Sequence, residues 1–158
     1  MGSQEGDKVK RLVVGSDHAG FKLKHDLVER LQKKGYDVLD VGSVDDGSVD
    51  YPDFAAKVAR LVARGDFPLG VLVCGSGIGV AIAANKVAGI RAATANDVES
   101  ARLSRAHNDA NILALGARFV GPEDAGFIVD TWLETPFEGG RHQNRVDKIT
   151  LIERDERR

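Results

Sequence analysis

The sequence predicts a three-layer α/β/α sandwich around a parallel sheet, from three observations. Short apolar runs alternate along the chain with segments whose apolar residues recur at helical spacing. The runs are apolar on both faces, as in strands covered on both sides by helices. At 158 residues with one cysteine, the chain suits a single domain with a proper core and no disulfide. Right-handed crossovers follow.

The elements are read in chain order. Arg11 to Gly15 is a first strand ending in a turn, and Phe21, Leu23, Leu27, Val28 and Leu31 mark a first helix that ends before Gly35. Val38 to Val41 gives a second strand and Gly42 to Asp53 a polar loop. Phe54, Ala55, Val58, Leu61 and Val62 mark one face of a second helix. Leu69 to Val73 is the third strand, Gly79 to Lys86 the third helix, Ile90 to Ala95 the fourth strand and Val98 to Ala106 the fourth helix. Asn111 to Leu115 is the fifth strand and Ala125 to Leu133 the fifth helix. Arg141 to Arg154 reads as a sixth helix whose narrow stripe, Val146, Ile149 and Ile152, needs a packing surface such as a second subunit. Met1 to Lys10 reads as a flexible leader, and residues 11–158 as one domain that includes the last helix.

A net charge of −2 and a pI near 6.1 give no general basic field, so neither nucleic acid nor an anionic membrane is expected as a partner. No apolar run approaches a signal sequence or membrane span, and the expected compartment is the cytoplasm.

The strongest chemical signal is Val71 to Val80, a strand, a glycine turn and the start of a helix that carries the lone Cys74. A cysteine at a helix N-terminus feels the positive end of the dipole, which favours its thiolate, and the same amides suit an oxyanion. The plain alternative is a small buried residue ending a strand. Three glycines in five residues favour a tight turn or close approach to a ligand. A dinucleotide fingerprint with Asp97 as ribose acid fits less well: the glycines run G-x-G-x-G, and they follow the third strand instead of the first.

Ligands of open parallel sheets bind beyond the carboxyl ends of the strands. There lie Asp17 and His18 after the first strand and Cys74 to Ser76 after the third. Asp17 is equally a helix cap, and His18 a donor to phosphate or a proton carrier. His107 ends the fourth helix, where a histidine often only complements the dipole, and Arg118 alone reads as a surface charge. Arg141 and Arg145, at i, i+4 on a helix, repel each other unless an anion joins them.

These residues resemble the ribose-5-phosphate isomerase B family, which also contains galactose-6-phosphate isomerase subunits. The resemblance rests on Gly15 to Phe21, Asp50-Tyr51-Pro52, Cys74 to Gly79 with Ala83 to Lys86, Ser104 to Asp109, and Glu138 to Arg145. It implies a Rossmann-like sandwich with five parallel strands, a homodimer or dimer of dimers with the site at the subunit interface, a sugar-phosphate substrate, and no metal or organic cofactor. Cys74 would be the base that moves a proton between C2 and C1. Val80 stands where another branch of the family has a glutamate, so the chain resembles the cysteine type. Ser76 would shuttle the hydroxyl proton, and His107 with Asp17 would open the sugar ring. Gly75, Gly77, Gly79 and Asn108 would hold the oxyanion, and Tyr51 would contact the sugar. His18, Arg118, Arg141, His142 and Arg145 would meet the phosphate. A six-carbon aldose phosphate, and a non-catalytic sugar-phosphate or nucleotide-binding module, are the other readings considered.

Overall fold

Parallel strands must be joined by crossovers, and the alternating pattern supplies a helix for each one. The computed structural model describes residues 10–157. Residues 1–9 of the expected leader lie outside the described residues, and the Lys10 carbonyl accepts the Asp37 amide at 2.8 Å. Strands β1 (Arg11–Ser16), β2 (Asp37–Asp40), β3 (Leu69–Cys74), β4 (Ala92–Thr94) and β5 (Ile112–Gly116) form one sheet in the order β2-β1-β3-β5-β4. Every pairing in it is parallel. The helices are α1 (Phe21–Lys33), α2 (Tyr51–Ala63), α3 (Ile78–Ala84), α4 (Val98–Ala106), α5 (Pro122–Glu134) and α6 (Arg141–Glu156).

Side chains alternate across a strand, so the sheet has two apolar faces. Leu12, Val14, Val71, Val73, Leu113 and Leu115 pack with Leu23, Leu27 and Leu31 of α1 and with Ile128 and Trp132 of α5. On the other face Val13, Leu72, Cys74, Ile112 and Ala114 meet Ala55, Val58 and Val62 of α2 and Val80 and Ala84 of α3. Full burial of each large apolar side chain contributes roughly 1.5–3 kcal/mol. The three expected layers and five parallel strands are therefore present.

The differences from expectation lie at element ends and sheet edges. Helix α2 begins at Tyr51 instead of Phe54, and α5 at Pro122 instead of Ala125; each carries a proline in its first turn, whose fixed φ favours helix initiation. Helix α3 begins at Ile78, after Gly77 with φ of 77°. Strand β4 shrinks to Ala92–Thr94. Strands β2 and β4 are not apolar on both faces: they are the sheet edges, and Asp37, Leu39, Asp40 and Thr94 are exposed. Helix α6 buries Val146 but leaves Ile149 and Ile152 exposed. It is tied near its C-terminal end, where Glu153 accepts the Gly89 amide and Arg157 donates to the Lys86 carbonyl at 2.8 Å.

Candidate active site

The parallel sheet has a carboxyl rim and an amino rim, and the candidate residues divide between them. Asp17 and His18 leave the carboxyl end of β1, Cys74 ends β3 and Gly75, Ser76, Gly77 and Gly79 follow it, Arg118 follows β5, and Tyr51 opens α2. Helix α4 starts beyond β4 and runs back, so His107 and Asn108 stand at the amino rim, just before β5. There the Arg91 Nε donates to the Asn108 carbonyl at 3.1 Å. Helix α5 also runs back, and its exit brings Arg141, His142 and Arg145 of α6 to the same rim, where the Glu138 amide donates to the Ala106 carbonyl at 3.0 Å. A strand of five residues, β5, separates the rims, and at about 3.3 Å per residue the span is roughly 17 Å.

At the carboxyl rim, Cys74 is 4% exposed and its side chain faces α2 and α3. The Gly77 amide donates to its Sγ at 3.2 Å. That contact needs the left-handed turn: a Cβ at Gly77 would lie 2.8 Å from the Leu115 carbonyl carbon. The Ile78 amide donates to Ser76 Oγ at 3.1 Å, which leaves the Ser76 hydroxyl proton to donate. Of the glycine amides expected for an oxyanion, that of Gly77 is thus engaged inside the turn. Gly79 passes so close to Tyr51 that a Cβ there would lie 2.7 Å from its ring. The Arg118 guanidinium covers Gly75, 3.1 Å from the place of a Cβ, and the Arg118 amide donates to the Gly75 carbonyl at 3.0 Å.

Asp17 is buried, and its Oδ1 accepts the Gly20 amide at 3.0 Å; this closes the turn before α1, whose N-cap is Gly20 and which has no side-chain cap. The Val49 peptide meets His18 Nδ1, its amide at 3.1 Å and its carbonyl at 3.2 Å. Nδ1 is therefore occupied, and Nε2 is the nitrogen left for an anion. Asp97 caps α4 through the Ser100 amide at 2.7 Å, which holds its carboxyl below the usual range and accounts for it without a ribose.

At the amino rim, the His107 and His142 rings stack with centroids 4.1 Å apart and planes 11° from parallel. Glu138 Oε2 lies 3.4 Å from His142 Nε2 and 3.9 Å from His107 Nε2. The His142 imidazole is held below its ordinary value by burial first, then by His107 and Arg141; Glu138 opposes the shift. The ligand atoms of His107, Glu138 and His142 lie within 4.8 Å of one another. The three side chains form a stacked pair of rings beside one carboxylate. Among the described residues, Arg141 and Arg145 form no ion pair.

Sequence reading gave no role to Lys24, and none to Glu138 beyond its place in the motif. Lys24 is 1% exposed, and its Nζ donates to Asp40 Oδ1 at 2.8 Å and to the Ser43 carbonyl at 2.5 Å. Its spacing to Leu27, Val28 and Leu31 is i, i+3, i+4, i+7, which placed it on the inward face.

The chain matches the model of the family described as Ribose/Galactose Isomerase over residues 12–149. It is 51% identical to the ribose-5-phosphate isomerase B of Escherichia coli strain K12 over 145 residues, 92% of this chain and 97% of that protein. The structure of Clostridium thermocellum ribose-5-phosphate isomerase B superposes with a TM-score of 0.91 at 53% identity, covering 92% of this chain and 99% of that one. The Mycoplasma genitalium ribose-5-phosphate isomerase B with bound ribulose 5-phosphate gives 0.88 at 44% identity, covering 91% of this chain and 96% of that one. Among the described residues no helix is long and apolar enough to cross a membrane.

Proposed function

The chain belongs to the Ribose/Galactose Isomerase family, and from that membership we propose that it interconverts D-ribose 5-phosphate and D-ribulose 5-phosphate through an enediolate. The observation that carries this reading is the Cys74 thiol with the Gly77 amide on its sulfur, at the carboxyl end of a central strand, in a chain 51% identical to a ribose-5-phosphate isomerase B.

The chemistry assigns the roles. Ribose 5-phosphate is mostly a closed ring, so a base first takes the proton of O1 while an acid protonates O4 and the ring bond breaks. His107 and Asp17 are this pair. Cys74 then takes the proton from C2, and the electron pair moves through the new double bond to O1. The enediolate is held by donors fixed before the reaction, here the amides of the Gly75 to Gly79 turn other than those on Cys74 Sγ and Ser76 Oγ, together with Asn108. Ser76 passes a proton between O2 and O1, and Cys74 returns its proton to C1 to complete the ketose. Tyr51 lies along the sugar, and His18, Arg118, Arg141, His142 and Arg145 meet the phosphate.

Cys74 and His107 stand on opposite rims, so one chain does not bring both to one substrate. The amino rim of one copy completes the carboxyl rim of another, which requires a homodimer, alone or within a dimer of dimers. A charged sugar phosphate does not cross a membrane unaided, which supports a place in the pentose phosphate branch of carbohydrate metabolism, in the cytoplasm.

The test is a substrate panel without added metal: ribose 5-phosphate, allose 6-phosphate and galactose 6-phosphate. The expected result is the highest kcat/KM for ribose 5-phosphate. Preference for a six-carbon sugar would overturn the assigned substrate, and calorimetric binding without turnover would leave a sugar-phosphate-binding module.

A further inference from the structure

We infer that Lys24 is a positioning residue for the sugar-phosphate site: its buried ammonium pins residues 40–43 against the end of β1 and so sets the turn that presents Asp17 and His18. The inference rests on the isomerase reading of that site.

Position 24 faces inward with Leu27, Val28 and Leu31, where a leucine or methionine would satisfy packing. An ammonium there is costly unless it is paired and hydrogen-bonded. Asp40 Oδ1 and the Ser43 carbonyl take two of its three donors, both on one short segment, and the Phe21 ring lies 5.2 Å from Nζ. Asp40 Oδ1 also accepts the Gly42 amide at 2.9 Å, so the carboxylate folds the segment back beneath Lys24.

From there the contacts run directly to the site. The Gly42 carbonyl accepts the Ser16 amide at 2.8 Å, and the Ser43 amide donates to the Ser16 carbonyl at 2.9 Å. Ser43 Oγ donates to the Asp17 carbonyl at 3.2 Å. Further along the same loop the Val49 peptide meets His18 Nδ1, and Tyr51 opens α2 two residues later. One ammonium therefore anchors the loop that touches Ser16, Asp17 and His18. Removing it strands the carbonyl of the buried Ser43 and leaves the Ser43 end of the segment held only by its amide and hydroxyl bonds to Ser16 and Asp17 and by the Gly42 carbonyl.

The test compares wild type with Lys24→Met, which keeps the stem and removes the donors, well below the unfolding transition. KM for ribose 5-phosphate should rise about tenfold because His18 moves, and kcat should fall as well because Asp17 of the ring-opening pair moves with it, while the base at Cys74 stays. The calorimetric Kd for ribose 5-phosphate should weaken by the same factor. A purely structural role would leave KM, kcat and Kd unchanged in the folded variant, and that result would overturn the inference. Should Lys24→Met not fold, Asp40→Asn, at a side chain 38% exposed, keeps the question open to decision. Its KM and Kd should rise about threefold, and unchanged values would overturn the inference. Wild type that binds ribose 5-phosphate without converting it would sink the isomerase reading alone, and the Kd comparison would still decide the role of Lys24. No sugar-phosphate binding by wild type would overturn both.

Discussion

His107 and His142 stack face to face, 4.1 Å between ring centroids, with Glu138 beside both Nε2 atoms. Two imidazolium rings in that arrangement repel, and burial adds to the pressure on His142 to stay neutral. The folded state therefore takes up the His142 proton at a lower pH than the unfolded chain does, near 6.5 for a free imidazole. The unfolded state binds more protons in that window, so stability is full above about pH 6.5 and is lost as pH falls through the depressed folded value. Urea unfolding from pH 8 to pH 5 should show this decline in wild type and a shallower one in His142→Gln. Equal slopes would show that His142 does not control it.

The turn after β3 depends on Gly77. A side chain there meets both a left-handed backbone, φ of 77°, and the Leu115 carbonyl carbon. Gly77→Ala should cost about 1–3 kcal/mol in urea unfolding. It should also cut kcat, because the amide on Cys74 Sγ moves. Wild-type kcat in a destabilised variant would separate the turn from the chemistry.

The split between the rims makes a prediction about shared sites. Cys74→Ala and His107→Asn should each be inactive on ribose 5-phosphate as pure proteins. Co-refolded in equal amounts, half of the dimers are mixed and each mixed dimer has one intact site of two, so activity should return to about one quarter of wild type. No recovery would mean that each chain builds its own site.

Arg141 and Arg145 lie one helical turn apart on α6 without carboxylate partners among the described residues. A charge-assisted hydrogen bond to phosphate contributes about 1.5–3 kcal/mol. Arg141→Ala and Arg145→Ala should each raise KM for ribose 5-phosphate by about tenfold or more while kcat changes little, the signature of uniform binding. A fall in kcat at constant KM would refute it.

Periodicity made the layers legible, because burial on both faces writes itself as runs such as Leu72-Val73 and burial on one face as the spacing of Leu27, Val28 and Leu31. It blurred at α2, where Tyr51 and Pro52 open the helix before any apolar residue repeats. The turn of Cys74 was legible because glycine marks a backbone that other residues resist. The opposite rims of Cys74 and His107 follow from the direction of α4, which a list of motifs does not carry. Lys24 was hidden because its charge argues for the surface while its spacing argues for the core, and only its partners Asp40 and Ser43 decide between them.

Ribulose 5-phosphate cannot close to a furanose, since its O5 carries the phosphate, so proton removal at C1 needs the base and not the ring-opening pair. The most direct test of Cys74 follows deuterium entering C1 of ribulose 5-phosphate in deuterated water by NMR. Wild type and His107→Asn should both incorporate deuterium, whereas Cys74→Ala should be slower by about a thousandfold. Incorporation by Cys74→Ala at the wild-type rate would contradict the assignment of Cys74 as the base.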